Sequence, residues 1–306
     1  MDLAGRRVYN GVMADAFVTV LTLNIGLIHV TGRYMVPFAE QRRDVLPEVL
    51  GKALDERAPD AVLLQECFRA DDVNLVRQIA EGHGYSVVHP GPREGRTGLV
   101  MLLPADRAPL DQGVIHLPDD PARLLNYHHP LLWASTALPD GRTLVVGNVH
   151  LTPLSRRAAS RARGRQVEKL VELAQGPLGC AGPGCVRIWG GDWNLAPHHD
   201  WRWSTLTSPA EQAQREPWLQ VDQSLYATVR GVMAGEVEDV APGLWSLDAR
   251  NPIWATYPLN QVEPSRRVDL LFVQGASPVA GGLVWTDPVV AGVPISDHYG
   301  VWLRVE

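Results

Sequence analysis

Asp192 and Asn194 stand two residues apart at the close of an apolar run, Val186-Arg-Ile-Trp189, after the pair Gly190-Gly191. An extended backbone repeats its side chains every second residue, so carboxylate and amide emerge on one side of a strand end. Trp193 between them should point the other way, into a core. A base beside an oxyanion donor is useful chemistry, but it needs partners. Other strand-like runs supply polar ends as well: Asn24, Glu66, His150, Asp269, and Asp297 with His298. Buried strands prefer apolar residues, so polar groups recurring at their ends exceed what packing requires. If these ends meet at one rim, four carboxylates, two histidines and two amides share a site. Crowded acids repel one another unless a cation neutralises them. Oxygen ligands without a thiolate favour Mg²⁺ or Mn²⁺ over zinc. Histidines on the facing wall could bind a phosphate while a base deprotonates water. The chemistry is metal-assisted phosphoester hydrolysis.

Strands and helices must deliver these groups to one edge. Phe17 to Asn24 alternates and is rich in β-branched residues, which predicts a strand broken by Gly26. After a loop over 25–40, a helix is expected with Asp44 near its cap and Pro47 in its first turn. Its apolar stripe is Leu46, Val49, Leu50, Ala53 and Leu54. Ala61 to Glu66 reads as a second buried strand ending on a carboxylate. A helix is expected over 71–82, and strands near 85–89, 98–103, 110–117 and 131–138. Pro139-Asp140-Gly141 marks a hairpin into the strand Thr143 to His150. Residues 156–175 read as helical, 198–263 as irregular, and Arg266 to Val273 as a strand carrying Asp269. A last strand follows Asp297-His298. No linker, repeat or low-complexity tract interrupts the chain. The reading is one domain over 17–306, preceded by a lead-in at 1–16.

Thr22-Leu-Asn24, Leu64-Gln-Glu66, Asn148-Val-His150-Leu, Gly191-Asp-Trp-Asn194, Arg267-Val-Asp269 and Ser296-Asp-His298 stand in an order that resembles the endonuclease/exonuclease/phosphatase superfamily. The resemblance spans 17–305. It implies an α/β fold, a four-layered sandwich of two mixed β-sheets face to face with helices outside and the site at one edge. It implies Glu66 as the principal metal ligand, with Asn24 and Asp297 beside it. Asp192 would activate water, Asn194 would stabilise the phosphorane oxygens, and His150 and His298 would bind the phosphate. Asp269 would orient His298, and Asn148 and Arg267 fall among the substrate-binding residues. Some members carry an acid two residues after the first-strand Asn; Gly26 stands there in this chain, which implies a single-metal arrangement on Glu66.

The segment Asn251 to Asn260, followed by Pro264-Ser-Arg-Arg-Val-Asp269, is similar to sphingomyelinase-like bacterial members. Together with net charge −6 it favours a small or amphiphilic phosphoester, because proteins that live on nucleic-acid backbones usually carry a basic excess. A DNA- or RNA-directed nuclease is the alternative, and a catalytically silent binding module the remaining one. Six basic residues between Arg156 and Lys169 could attract phosphate, although a solvated face is the ordinary reading of such a run. His128 and His129 could shape a pocket or simply lie on the surface. Five tryptophans between 201 and 254 could form an apolar substrate wall or pack an irregular segment. No run of 18 apolar residues is long enough to cross a membrane. Three cysteines make no disulfide framework, although Cys180 and Cys185 could pair if oxidised. The expected compartment is the cytoplasm; the sequence carries no reading of oligomeric state.

Overall fold

Residues of the first strand, β1 (Val18–Asn24), alternate between two cores: Val18 and Val20 pack in one, Leu21 and Leu23 in another. A strand apolar on both faces lies inside a layered structure, between a second sheet and a layer of helices. The computed structural model describes residues 17–30, 33–91, 97–118, 128–176, 178, 184–195, 197, 201–203, 207–248, 250–253, 264–289 and 292–306. The lead-in 1–16, most of the loop 118–130, Cys180, Trp254 and the segment 254–263 lie outside them.

The further strands are β2 (His29–Val30), β3 (Arg33–Tyr34), β4 (Ala61–Gln65), β5 (Tyr85–Val88), β6 (Val100–Pro104), β7 (Asp111–His116) and β8 (Pro130–Ala137). They continue with β9 (Thr143–His150), β10 (Cys185–Asp192), β11 (Gly235–Glu236), β12 (Asp269–Gln274), β13 (Pro278–Val284) and β14 (Gly300–Val305). The helices are α1 (Ala39–Arg57), α2 (Ala70–Gly82), α3 (Arg157–Gln175) and α4 (Pro209–Met233). Two six-stranded sheets result, ordered β13-β14-β1-β4-β6-β5 and β11-β12-β10-β9-β8-β7, with β2-β3 as a small ribbon. Both are mixed: β1 runs parallel to β4 and antiparallel to β14, and β10 parallel to β9 and antiparallel to β12.

Side chains of alternate parity fill three cores. Val20, Leu63 and Met101 from one sheet meet Val146, Ile188 and Leu271 from the other. Leu21, Val62 and Leu64 face Leu46 and Leu50 of α1 and Val76 of α2. Val149, Trp189 and Phe272 face Leu170 of α3 and Met233 of α4. The four layers are therefore helices, sheet, sheet and helices.

Towards one edge, the residues between the sheets change character. Apolar Val20, Leu63 and Val146 give way to Thr22, Gln65 and Asn148, and these to Asn24 and His150. Gln65 Nε2 donates to Thr22 Oγ1 at 3.1 Å and to Asn148 Oδ1 at 2.8 Å. Asn148 Nδ2 donates to the carbonyls of Leu64 at 3.0 Å and Val100 at 2.9 Å. A neutral, fully bonded amide layer thus separates hydrocarbon from the polar rim.

Two helices depart from expectation. α1 begins at Ala39, ahead of the predicted cap at Asp44, and Pro47 lies in its interior. Ala39, Arg42, Leu46 and Leu50 continue one buried stripe at helical spacing, and that packing outweighs the proline. Residues 209–233, expected to be irregular, form α4. Ser208 and Glu211 close a capping box at its start, and Pro209 occupies the first turn. A fully buried pair, Arg163 Nη2 to Asp222 Oδ2 at 2.7 Å, holds α4 on α3. β13 was not expected either.

Candidate active site

The rim is built where β1, β4, β9, β10 and β12 stop. Register places Asn24 beside Gln65, and Asp192 beside both His150 and Asp269. Strand parity would send Glu66 towards the helices, in line with Val62 and Leu64. Its left-handed backbone, φ +62°, turns it to the rim instead, where Oε1 lies 3.9 Å from His150 Nε2. A non-glycine residue in that conformation carries strain of order 1 kcal/mol, and such strain collects at functional sites.

Asp192 and Asn194 do lie together, but a turn joins them rather than strand alternation. β10 ends at Asp192, Asn194 adopts φ +50°, and its N–H donates to Asp192 Oδ1 at 3.0 Å. Asparagine tolerates this conformation better than most residues. Asn194 Nδ2 donates to the carbonyl of Leu151 at 3.1 Å. Gly191 is required by its position, since a Cβ there would stand 2.0 Å from the Val149 carbonyl oxygen. Trp193 is fully buried, edge-on to Phe272 with ring centres 4.9 Å apart, as alternation predicts.

Asn24 Nδ2 donates to Asp192 Oδ2 at 3.1 Å, and its Oδ1 accepts the N–H of Gly26 at 3.0 Å. Asp192 Oδ2 is also 3.5 Å from His150 Nε2. On the facing side Asp269 Oδ2 lies 2.8 Å from His298 Nδ1. Ser246 Oγ accepts the N–H groups of Val268 and Asp269 at 3.1 and 3.0 Å. Ser296 Oγ donates to the Asn24 carbonyl at 2.5 Å, and Asn251 Nδ2 to the Ser296 carbonyl at 2.9 Å. These bonds tie the Asp297-His298 turn to β1. Ser246 was invisible in the sequence, because nothing around it repeats or alternates.

Burial and the neighbouring Asp297 push the Glu66 carboxyl up to about 8. Burial likewise raises Asp269, against the pull of His298. Burial lowers His150 to about 4 despite Asp192, so its imidazole is neutral at pH 7. Burial also opposes charge on His298, but the charge and hydrogen bond of Asp269 prevail and raise it well above the usual range. A carboxyl that resists ionising beside another acid, as Glu66 does beside Asp297, is what an oxygen-seeking divalent cation relieves, so the two fit such an ion. Asp192, Asp269 and His298 also bring ligand atoms within 4.8 Å of one another. Asp269 is spent on a protonated imidazole, however, which makes that pair charge partners rather than ligands.

Two expected substrate contacts are elsewhere. Asn148 is 0% exposed, with its amide consumed by the layer between the sheets. Arg267 is 1% exposed and pairs with Glu236 at 2.9 Å and Glu238 at 2.5 Å. Asn148 sits one strand repeat behind His150, and Arg267 precedes β12 and turns to its carboxylate partners, so neither side chain is open to substrate. His129, by contrast, comes close: its Nδ1 donates to the His150 carbonyl at 2.7 Å, with the rings edge-on. His128 stacks edge-on to His116 instead. Trp245 is buried beneath the Arg202 guanidinium, which lies 3.7 Å over its ring, and Trp201, Trp203 and Trp218 are half-buried. Arg156, Arg157, Arg161 and Arg165 of the basic run are exposed, whereas Arg163 is buried. Cys67 is a buried free thiol and Cys185 is disulfide-bonded. Among the described residues no helix is long and apolar enough to cross a membrane.

Solved structures share this architecture at low identity. TDP2 from D. rerio, crystallised with a single-strand DNA product, aligns with TM-score 0.66 and 18% identity over 95% of this chain and 100% of that one. A mannosyl-6-phosphatase of Bacteroides thetaiotaomicron gives 0.61 and 16% over 94% and 99%. Beta toxin of Staphylococcus aureus gives 0.63 and 11% over 94% and 99%. No curated protein matches the chain. The family model described as Endonuclease/Exonuclease/phosphatase family matches residues 21–298. With that match over most of its length and a four-layered sandwich to carry it, the chain belongs to the endonuclease/exonuclease/phosphatase family, whose members hydrolyse phosphoesters.

Proposed function

We propose that this phosphoesterase uses Mg²⁺ or Mn²⁺, held by Glu66 and Asp297 with Asn24 beside them, to hydrolyse a small or amphiphilic phosphoester by in-line attack of water. The observation that carries this reading is the meeting of Glu66, Asp192 and Asp297 with one neutral and one charged histidine at a single buried rim. When bound, the cation would draw charge from the phosphoryl oxygens and let Glu66 ionise. Asp192, steadied by Asn24 and by the N–H of Asn194, takes the proton of the attacking water. Asn194 stands beside the developing phosphorane. His298, kept protonated by Asp269, donates to a phosphoryl oxygen or to the leaving group. His150, neutral, offers a hydrogen bond without a charge.

Recess favours a slender substrate. Every rim residue from Asn24 to His298 is at most 8% exposed, so the phosphoryl group must reach inward on a narrow substituent. Exposed Arg156, Arg157, Arg161 and Arg165 support the second reading, a nucleic-acid strand led away from the rim. One solved relative was seen with a DNA product and another is named as a sugar phosphatase, so both substrate kinds occur among structures of this shape. The test is turnover of bis-p-nitrophenyl phosphate and p-nitrophenyl phosphate with Mg²⁺, Mn²⁺ or chelator, beside Glu66→Gln. Turnover that needs the metal and falls in the variant supports the proposal; none with any divalent ion overturns it. Supercoiled plasmid and a choline phospholipid as further substrates separate the two readings.

A further inference from the structure

Arg42 belongs to none of the rim motifs, yet it is tied to two of the segments that build the rim. The residue is 1% exposed. Nε donates to the Pro37 carbonyl at 3.2 Å, Nη1 to Ile25 at 3.0 Å and Ile295 at 2.7 Å, and Nη2 to Gly26 at 2.9 Å. These acceptors are neutral. Among the other deeply buried arginines, Arg163 and Arg267 are paired directly with Asp222 and with Glu236 and Glu238, whereas Arg187 donates to the neutral Ala174 carbonyl and Gln274. A buried guanidinium is costly unless negative charge stands near it. For Arg42 that charge comes from Asp297 and Glu66, which act on it through space.

Gly26 fixes the geometry. It adopts φ +61°, and a Cβ built on it would lie 2.8 Å from Asp297 Oδ1, 3.3 Å from Arg42 Nη1 and 3.3 Å from Ser296 Oγ. Carboxylate and guanidinium thus close on one point from different sides, and a further side chain there would crowd both.

Resting on the metal reading above, we propose that Arg42 is a built-in counter-cation and positioning residue. It fills the Gly26 side of the Glu66–Asp297 pair with a fixed positive charge, so that the rim takes one divalent ion and not two. It also clamps the Ile25–Gly26 and Ile295–Asp297 segments that present the ligands. Two like charges a few ångströms apart in a buried site repel strongly, and a guanidinium cannot shed its charge to accommodate a second cation.

The experiment counts Mn²⁺ per chain by EPR titration of the intact protein, with thermal unfolding as a check on each variant. Wild type is expected to bind one ion that Glu66→Gln weakens or loses. Arg42→Gln, which removes the charge but keeps an amide donor, should bind the first ion roughly tenfold more tightly or take up a second. Arg42→Lys, which keeps the charge, should still bind one. Two Glu66-dependent ions in wild type would overturn the proposal, and that count stands even if Arg42→Gln does not fold. So would a folded Arg42→Gln with one ion of unchanged affinity. No Glu66-dependent ion in wild type would sink the metal reading itself, a result distinct from the other two.

Discussion

His150 and His298 enter the same rim from different strands at almost equal depth, 6% and 7% exposed, yet they carry different charge. Beside His298, the Asp269 carboxylate lies at hydrogen-bond distance, and its pull outweighs the cost of burying an imidazolium. Beside His150, the nearest carboxylate oxygens are 3.5 and 3.9 Å away. Burial wins there, helped by His129 and His298, and the ring stays neutral. Depth alone therefore does not decide the protonation of a buried histidine. A partner within hydrogen-bond reach does. One wall of the rim holds a positive donor and the other an uncharged one, so on the proposed reading a phosphoryl group between them would meet an asymmetric field.

The strongest attack on this comparison is His298→Ala. Loss of the charged donor should cut kcat/KM on bis-p-nitrophenyl phosphate by about a thousandfold; a loss below tenfold would mean the charge does little. Asp269→Asn should erase the difference between the two histidines at a cost of about a hundredfold at pH 8. In wild type, His298 is raised above its ordinary value, so the donor is lost only as pH rises through that raised value. In the variant, the alkaline limb of the pH–rate profile should fall towards about 6.5. A limb that does not move would show that Asp269 does not hold the charge. His150→Gln should cost about tenfold and leave the shape of the profile between pH 6 and 9 unchanged, because a ring lowered to about 4 does not titrate there. The smallest effect concerns Glu66, which faces the neutral side. Raised from 4.5 to about 8, it keeps a proton in the folded state that the unfolded chain has released. Metal-free stability should therefore fall as pH rises from 4.5 to 8. Mn²⁺ should reverse this, raising Tm by roughly 5 °C more at pH 8 than at pH 5.5, read by thermal unfolding.

Much of the rim was legible because polar residues at the ends of apolar strands are conspicuous against a packing background. Asn24, Glu66, His150, Asp192, Asp269 and His298 all stood out in this way, and they do meet. Depth was not legible. Asn148 and His150 stand two residues apart, as do Arg267 and Asp269, and spacing cannot tell which of each pair reaches the rim. Only tertiary contacts decide: the facing sheet supplies Gln65 to Asn148, and β11 of the same sheet as β12 supplies Glu236 to Arg267. Backbone turns at Glu66 and Asn194 were equally hidden, since each replaces simple alternation with a left-handed residue. α4 escaped notice because Pro217 lies inside it and its buried face, Leu219, Asp222, Val229 and Met233, is sparse and partly charged. Arg42 carried no signal in the sequence, because its acceptors are carbonyls, which no side-chain pattern announces.

The amide layer of Thr22, Gln65 and Asn148 has a consequence for how such a molecule can change over time. Because it carries no net charge and satisfies itself, substitutions at Asn24, His150 or Asp192 do not strand a polar atom in the hydrocarbon beneath. Reactivity and foldability become separable traits. Mutations can explore new chemistry above the layer while the hydrophobic layers below, which hold most of the stability, never register the experiment.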